Sequence, residues 1–140
     1  MAEADVNSIE AKIAEFLNGS PHAVVGASRD RRKYGNKVFR VFQQNNRPVY
    51  AVNPNADAVE GCRAYPDLES LPEKVHGVSI VTPPDVSEEV IRQAGRLGIK
   101  NLWFQPGAES SKALSEAREF GMNVIANGPC LLVVLGYREG

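Results

Sequence analysis

Cysteine is nearly absent from this sequence: Cys62 and Cys130 are the only two in 140 residues. They set no disulfide framework and lack the spacing of a metal site. Histidine is as scarce, with His22 and His76 alone, and without a Cys/His cluster no structural metal is expected. No apolar run approaches the ~20 residues that span a bilayer. The opening Met1-Ala2-Glu3-Ala4-Asp5 has neither the basic nor the apolar segment of a secretion signal. These absences predict a cytoplasmic protein with no membrane partner. Charge of one sign is missing too: 16 basic and 17 acidic residues leave a formal charge of −1. Nucleic acid as a general partner needs a broad positive excess, so it is not expected.

What is present suits one domain over residues 1–140. A chain of this length buries roughly 68% of its unfolded surface. Its 43% hydrophobic and 24% charged residues mark it as globular.

Along the chain, Asn7 is placed to cap a first helix, with Glu10 as its capping-box partner and Ile9, Ile13, Phe16 and Leu17 on one face. Ala23-Val24-Val25 reads as a strand ending at Gly26. The spacing predicts a helix from near Tyr34 with Val38, Phe39 and Phe42 inward. A second strand follows at 49–52, a short third at 62–64, and one helical turn at 68–71. Residues 78–81 form the fourth strand. Asp85 or Ser87 is placed to cap the next helix, which carries Val86, Val90, Ile91, Ala94 and Leu97 inward and stops at Gly98. A strand at 101–104, a helix through Ala113, Leu114, Ala117 and Phe120, and a last strand at 122–125 complete the series. Leu131 to Leu135 form an apolar tail, read either as a buried terminal element or as a dimer contact.

Strands alternating with helices predict right-handed βαβ units in a mainly parallel sheet covered on both faces. The fold class is thus α/β, a Rossmann-like three-layer α/β/α sandwich of five or six strands, in the order 3-2-1-4-5 with a possible sixth. Such sheets bind ligands beyond the strands' carboxyl ends where the order reverses. Here those are the loops after residues 25, 52, 81 and 104.

The first of these loops runs Gly26-Ala27-Ser28-Arg29-Asp30-Arg31-Arg32-Lys33-Tyr34. Gly26 allows a tight turn and close backbone approach, and a side chain there would keep a pyrophosphate away. Amides at the following helix start offer an anion site, and four of residues 29–33 are basic. The plainer reading, a strand end followed by a solvated basic face, stays open on this loop alone. A dinucleotide fingerprint would need glycine at 28 and 31 and an acid after the second strand, where the chain has Ser28, Arg31 and Asn53-Pro54. NAD is therefore not expected. No nucleophile–base–acid set is visible; His22 and His76 precede their strands, at the wrong end of the sheet. Trp103 and Cys130 read most simply as core.

Five segments occur in order, each at a strand end: Val24-Val25-Gly26-Ala27-Ser28-Arg29, Lys33-Tyr34-Gly35, Val52-Asn53-Pro54, Val81-Thr82-Pro83-Pro84 and Phe104-Gln105-Pro106-Gly107. Together they resemble the small stand-alone coenzyme A-binding proteins. More remotely, they are similar to the coenzyme A-binding domain of the succinyl-CoA synthetase α subunit. The resemblance runs from about residue 20 to 130.

It implies coenzyme A or an acyl-CoA held across the strand ends. Gly26, Ala27, Ser28, Arg29, Asp30 and Arg31 then match the loop that wraps the phosphates, with Lys33 and Tyr34 following. Asn53, Pro54 and Asn55 match the loop after the second strand; the synthetase's lysine is missing there, which leaves that contact to Lys33 or Arg32. Thr82, Pro83 and Pro84 border the adenosine end, and Phe104, Gln105 and Pro106 lie farther along the cofactor. The synthetase's second domain, with its phosphorylated histidine, has no counterpart. The resemblance thus implies a holder without chemistry of its own, alone, as a homodimer or in a larger assembly. An enzyme of another reaction using a nucleotide cofactor is the alternative.

Overall fold

The computed structural model describes residues 8–139. Helix α1 (Ile9–Leu17) is capped by Ser8, whose Oγ accepts from Ala11 N at 3.1 Å. The expected cap, Asn7, lies outside the described residues. Strand β1 (His22–Val25) is buried along its whole length. Helix α2 (Tyr34–Gln44) returns the chain to β2 (Val49–Val52). A two-residue strand, β3 (Ala58–Val59), pairs antiparallel with β4 (Cys62–Tyr65) before a single 3₁₀ turn at Leu68–Ser70. Then come β5 (Gly77–Ile80), α3 (Pro84–Leu97), β6 (Asn101–Phe104), α4 (Ser111–Glu119), β7 (Asn123–Ile125) and the short α5 (Leu131–Val134).

The sheet has seven strands in the order β3-β4-β2-β1-β5-β6-β7. Setting β3 aside, this is the expected order with its sixth strand. The added strand is too short to carry a periodic signal. All other pairings are parallel, and β1 is central, with Val24 opposite Ala51 on one side and Ser79 on the other. Alternation along β1 divides the core. Ala23 and Val25 face α3 and α4 through Ile91, Ala94 and Ala117, whereas Val24 faces α2 through Val38, Phe39 and Phe42, with Trp103 on the same side. Both faces are covered, so nearly every strand position is apolar.

Two helix boundaries differ from the sequence reading. Pro83 is the N-cap of α3, so Asp85 and Ser87 lie inside the helix; Ser87 Oγ meets Thr82 Oγ1 at 2.7 Å. Pro84 occupies the first helical position, where its missing N–H costs nothing. At the far end, Gly98 takes a left-handed conformation (φ 75°), as its position predicts. Phe120, expected inward, caps α4 partly exposed, with its ring over Gly95. The apolar tail is divided: Leu131 is fully buried, whereas Val133 is 80% exposed.

Candidate binding cleft

The strand order reverses at β1, because α2 carries the chain to β2 on one side and the next crossover returns it to β5 on the other. Diverging connections of this kind leave a crevice outside the strand ends, where ligands of open α/β sheets bind. A cleft of about 540 Å³ lies there, at the carboxyl ends of β1, β2 and β5. Val52, Leu68, Val86 and Val90 form apolar walls, and Gly26, Thr82 and Pro83 form the rim. A second, shallower depression lined by Ser28, Arg29 and Asp30 adjoins it, and the two share Lys33, Asn53 and Asn55. The result is one continuous surface that is apolar at one end and cationic at the other.

Gly26 sits at the bend with φ 96°, and a Cβ there would run into the carbonyl oxygen of Val81. This corrects the sequence reading: glycine is required first by the neighbouring backbone, before any ligand approaches. Gly35 is under the same constraint, since a Cβ on it would meet the Gly26 carbonyl. Together the two glycines seat the start of α2 directly on the strand end.

The basic run does not present four free cations. Asp30 holds Arg32 through Nε (3.1 Å) and Nη2 (3.1 Å), and this pairing draws the Asp30 carboxyl down to a pKa of about 2. Arg31 lies 3.3 Å from Glu60. Among the described residues, Arg29 and Lys33 have no carboxylate partner, and both are exposed beside the cleft. Lys33 is also the N-cap of α2, with no side-chain cap and no acid in the first turn. The first amides of α2 thus have no side-chain cap from the helix's own N-terminal residue at this surface.

The sequence-derived residues fall into two groups. Gly26, Ser28, Arg29, Asp30, Lys33, Asn53, Pro54, Asn55, Thr82 and Pro83 line the two depressions. Ala27 and Phe104 are wholly buried, so their side chains belong to the core. Arg31 is turned to Glu60, and Pro84 and Pro106 are exposed outside both depressions. Tyr34 and Gln105 meet elsewhere, beyond β6: Tyr34 O–H approaches Gln105 Oε1 at 3.4 Å and contacts Cys130 Sγ. Gln105 Oε1 also accepts from Leu131 N at 3.0 Å, while its Nε2 is buried without a partner. Cys130 is thus half-buried beside polar groups, rather than the buried hydrophobe expected.

Sequence reasoning missed Asp67, Leu68, Val86, Glu89 and Gln93 as cleft residues. Val86 reads as core by its helical spacing, yet it is 44% exposed because the cleft lies where the sheet would otherwise cover it. Asp67 had a visible signal: it caps the 3₁₀ turn, accepting from Ser70 N at 2.8 Å, at the end of the strand next to β2. Among the described residues no group of three His, Cys, Asp or Glu could hold a metal, and no helix is long and apolar enough to cross a membrane.

Residues 21–136 match the family described as the CoA binding domain. Over 121 residues the chain is 30% identical to the α subunit of acetate–CoA ligase (ADP-forming) II from Pyrococcus furiosus. That alignment covers 79% of this chain but only 26% of the ligase subunit. A solved conserved hypothetical protein from the same organism is 37% identical, with a TM-score of 0.76 over 81% of this chain and 97% of its own. A hypothetical protein from Pyrococcus horikoshii OT3 is 28% identical, with a TM-score of 0.84 over 95% of both chains. By sequence along most of its length and by fold, the chain belongs to the CoA binding domain family.

Proposed function

We infer that this protein binds coenzyme A, free or as a thioester, in the cleft at the carboxyl ends of β1, β2 and β5, and that it has no catalytic activity of its own. The observation that carries this reading is the continuity of the apolar cleft with the cationic depression. Coenzyme A is divided in the same way, with a flat adenine at one end and a cluster of phosphates beside it. Val52, Leu68, Val86 and Val90 would enclose the base. Arg29, Lys33 and the open start of α2 would face the phosphates. The pantetheine arm would leave toward Gln105 and Cys130.

Of the carboxylates near the expected thioester end, Glu109 is committed to other work. Glu109 accepts from Gly107 N at 3.0 Å through one oxygen and from Asn127 N at 3.1 Å through the other. Asp85 lies in the first turn of α3, where a carboxylate complements the helix dipole. General acid–base chemistry needs a group free to move a proton at the reacting atom, and the two bonds held by Glu109 argue against that role for it.

Calorimetry with coenzyme A tests binding, and native mass spectrometry of freshly purified protein tests whether the cofactor co-purifies. The expected result is one bound coenzyme A and no hydrolysis of acetyl-CoA. NAD binding as tightly as coenzyme A would overturn the ligand assignment. Sustained hydrolysis that disappears in Asp85→Asn or Glu109→Gln would overturn the non-catalytic one.

A further inference from the structure

The loop between β1 and α2 is held by polar side chains that do not themselves line the cleft. Asn36, in the first turn of α2, is fully buried, and its Nδ2 donates to Ser28 O at 2.8 Å. The same nitrogen reaches Glu60 Oε2 at 3.0 Å. Arg40, one helical turn on and 5% exposed, donates through Nε to Asn36 Oδ1 at 2.7 Å and through Nη2 to Arg31 O at 3.2 Å. Its guanidinium also lies 5.3 Å from the centre of the Tyr137 ring. From the end of β2, Asn53 Nδ2 donates to Ala27 O at 2.8 Å while its Oδ1 accepts from Asn55 N at 2.8 Å.

A trans peptide points its N–H opposite to its C=O. Fixing the Ala27 carbonyl toward Asn53 therefore turns the Ser28 N–H the other way, and fixing the Ser28 carbonyl toward Asn36 does the same for the Arg29 N–H. Among the described residues neither amide donates to a protein acceptor. Two successive amides without protein acceptors thus lie beside a helix start that has no side-chain cap, a setting in which an anion can be bound.

We propose that Asn36, Asn53 and Arg40 are positioning residues for the phosphates of the ligand: they grip loop carbonyls so that the amides of Ser28 and Arg29 face the phosphate. Arg40 is the anchor, because it holds Asn36 in place and secures the Arg31 carbonyl at the far end of the loop. This reassigns Asn53, whose side-chain amide is already occupied, from ligand contact to loop support. The proposal rests on the cleft being the coenzyme A site.

The test compares two ligands. Adenosine occupies only the apolar end, whereas coenzyme A also needs the loop. Arg40→Met keeps the length of the side chain and removes its donors. It should raise the Kd for coenzyme A about tenfold and leave that for adenosine within about twofold, and Arg40→Lys should recover part of the loss. A variant that weakens both ligands alike, or neither, would overturn the positioning role. Should Arg40→Met not fold, the wild-type protein still decides. Titration with coenzyme A should move the Ser28 and Arg29 amide proton resonances downfield more than those of Arg31 and Arg32, and unmoved amides would refute the proposal. Failure of wild-type protein to bind coenzyme A at all would refute the functional reading itself, a distinct outcome.

Discussion

The two ends of the sheet treat their polar groups in opposite ways. At the amino end, α1 closes the structure and its last three carbonyls find donors. His22 Nε2 donates to Phe16 O (2.7 Å), His76 Nε2 to Glu15 O (2.9 Å) and Arg47 Nη1 to Leu17 O (3.1 Å). Asn123 Nδ2 reaches Lys12 O at 3.0 Å, which ties α1 to the edge strand. At the carboxyl end the amides of Ser28 and Arg29 lack protein partners, and Lys33 and Arg29 lack counter-charges, among the described residues. Unmet hydrogen bonds are costly where water is excluded and useful where a ligand arrives. One end is built as a seal, the other as a receptor.

The largest expected effect breaks the receptor end at its backbone. Gly26→Val places a side chain against the Val81 carbonyl at a φ of 96°, and should cost about 3 kcal/mol of stability. The readout is the shift in urea midpoint; a variant as stable as wild type would show that the β1 and β5 exits separate freely.

Of similar size is a break in the seal. Burial pushes the His22 pKa down to about 4 from 6.5, and its Nδ1 has no acceptor to stabilise a proton. Above pH 6.5 the ring is neutral whether folded or unfolded. Between pH 6.5 and 4 the unfolded chain binds a proton that the folded one refuses, so stability falls as pH drops through this window. The loss amounts to about 3 kcal/mol. Urea melts across that range check this, and a flat profile in wild type would contradict it.

A smaller effect sharpens the contrast between free and paired cations. Lys33→Ala and Arg29→Ala should each raise the Kd for coenzyme A about tenfold, or roughly 1.4 kcal/mol. Arg32→Ala, whose charge Asp30 already balances, should change it by less than about twofold. Calorimetry on the three variants decides; equal losses would mean that only overall charge matters. Coenzyme A should also outbind its 3′-dephospho form by about tenfold.

The smallest concerns the start of α1. Ser8→Ala removes the cap on Ala11 N and should cost about 1 kcal/mol, read as a lower thermal midpoint. Coenzyme A affinity should not change, because this helix serves only the sealed end.

Much of this was legible in the sequence. Apolar strands at 23–25, 49–52 and 101–104, separated by helical spacing, gave the layers, since both periodicities are local, and the strand order was read from the connection rules for βαβ units. The strand ends Gly26, Asn53, Thr82 and Pro83 followed from that order and do line the cleft. Phe104 and Gln105 did not follow: a strand end specifies where the backbone stops, while burial decides where a side chain goes. Val86 failed in the opposite sense, because helical spacing marks an apolar face without telling whether a sheet or a cleft lies opposite.

The sequence by itself determined the α/β layering, because strand and helix periodicities depend on neighbours a few residues apart, whereas the need for glycine at 26 comes also from the Val81 carbonyl that the fold brings alongside. Only the tertiary structure decided which cations stay free. Arg31 meets Glu60, which is 29 positions away along the chain, and Arg40 reaches back across a helical turn and a loop to the Arg31 carbonyl. Charge in a sequence is a count; charge at a site is what remains after distant partners have been brought within hydrogen-bond reach.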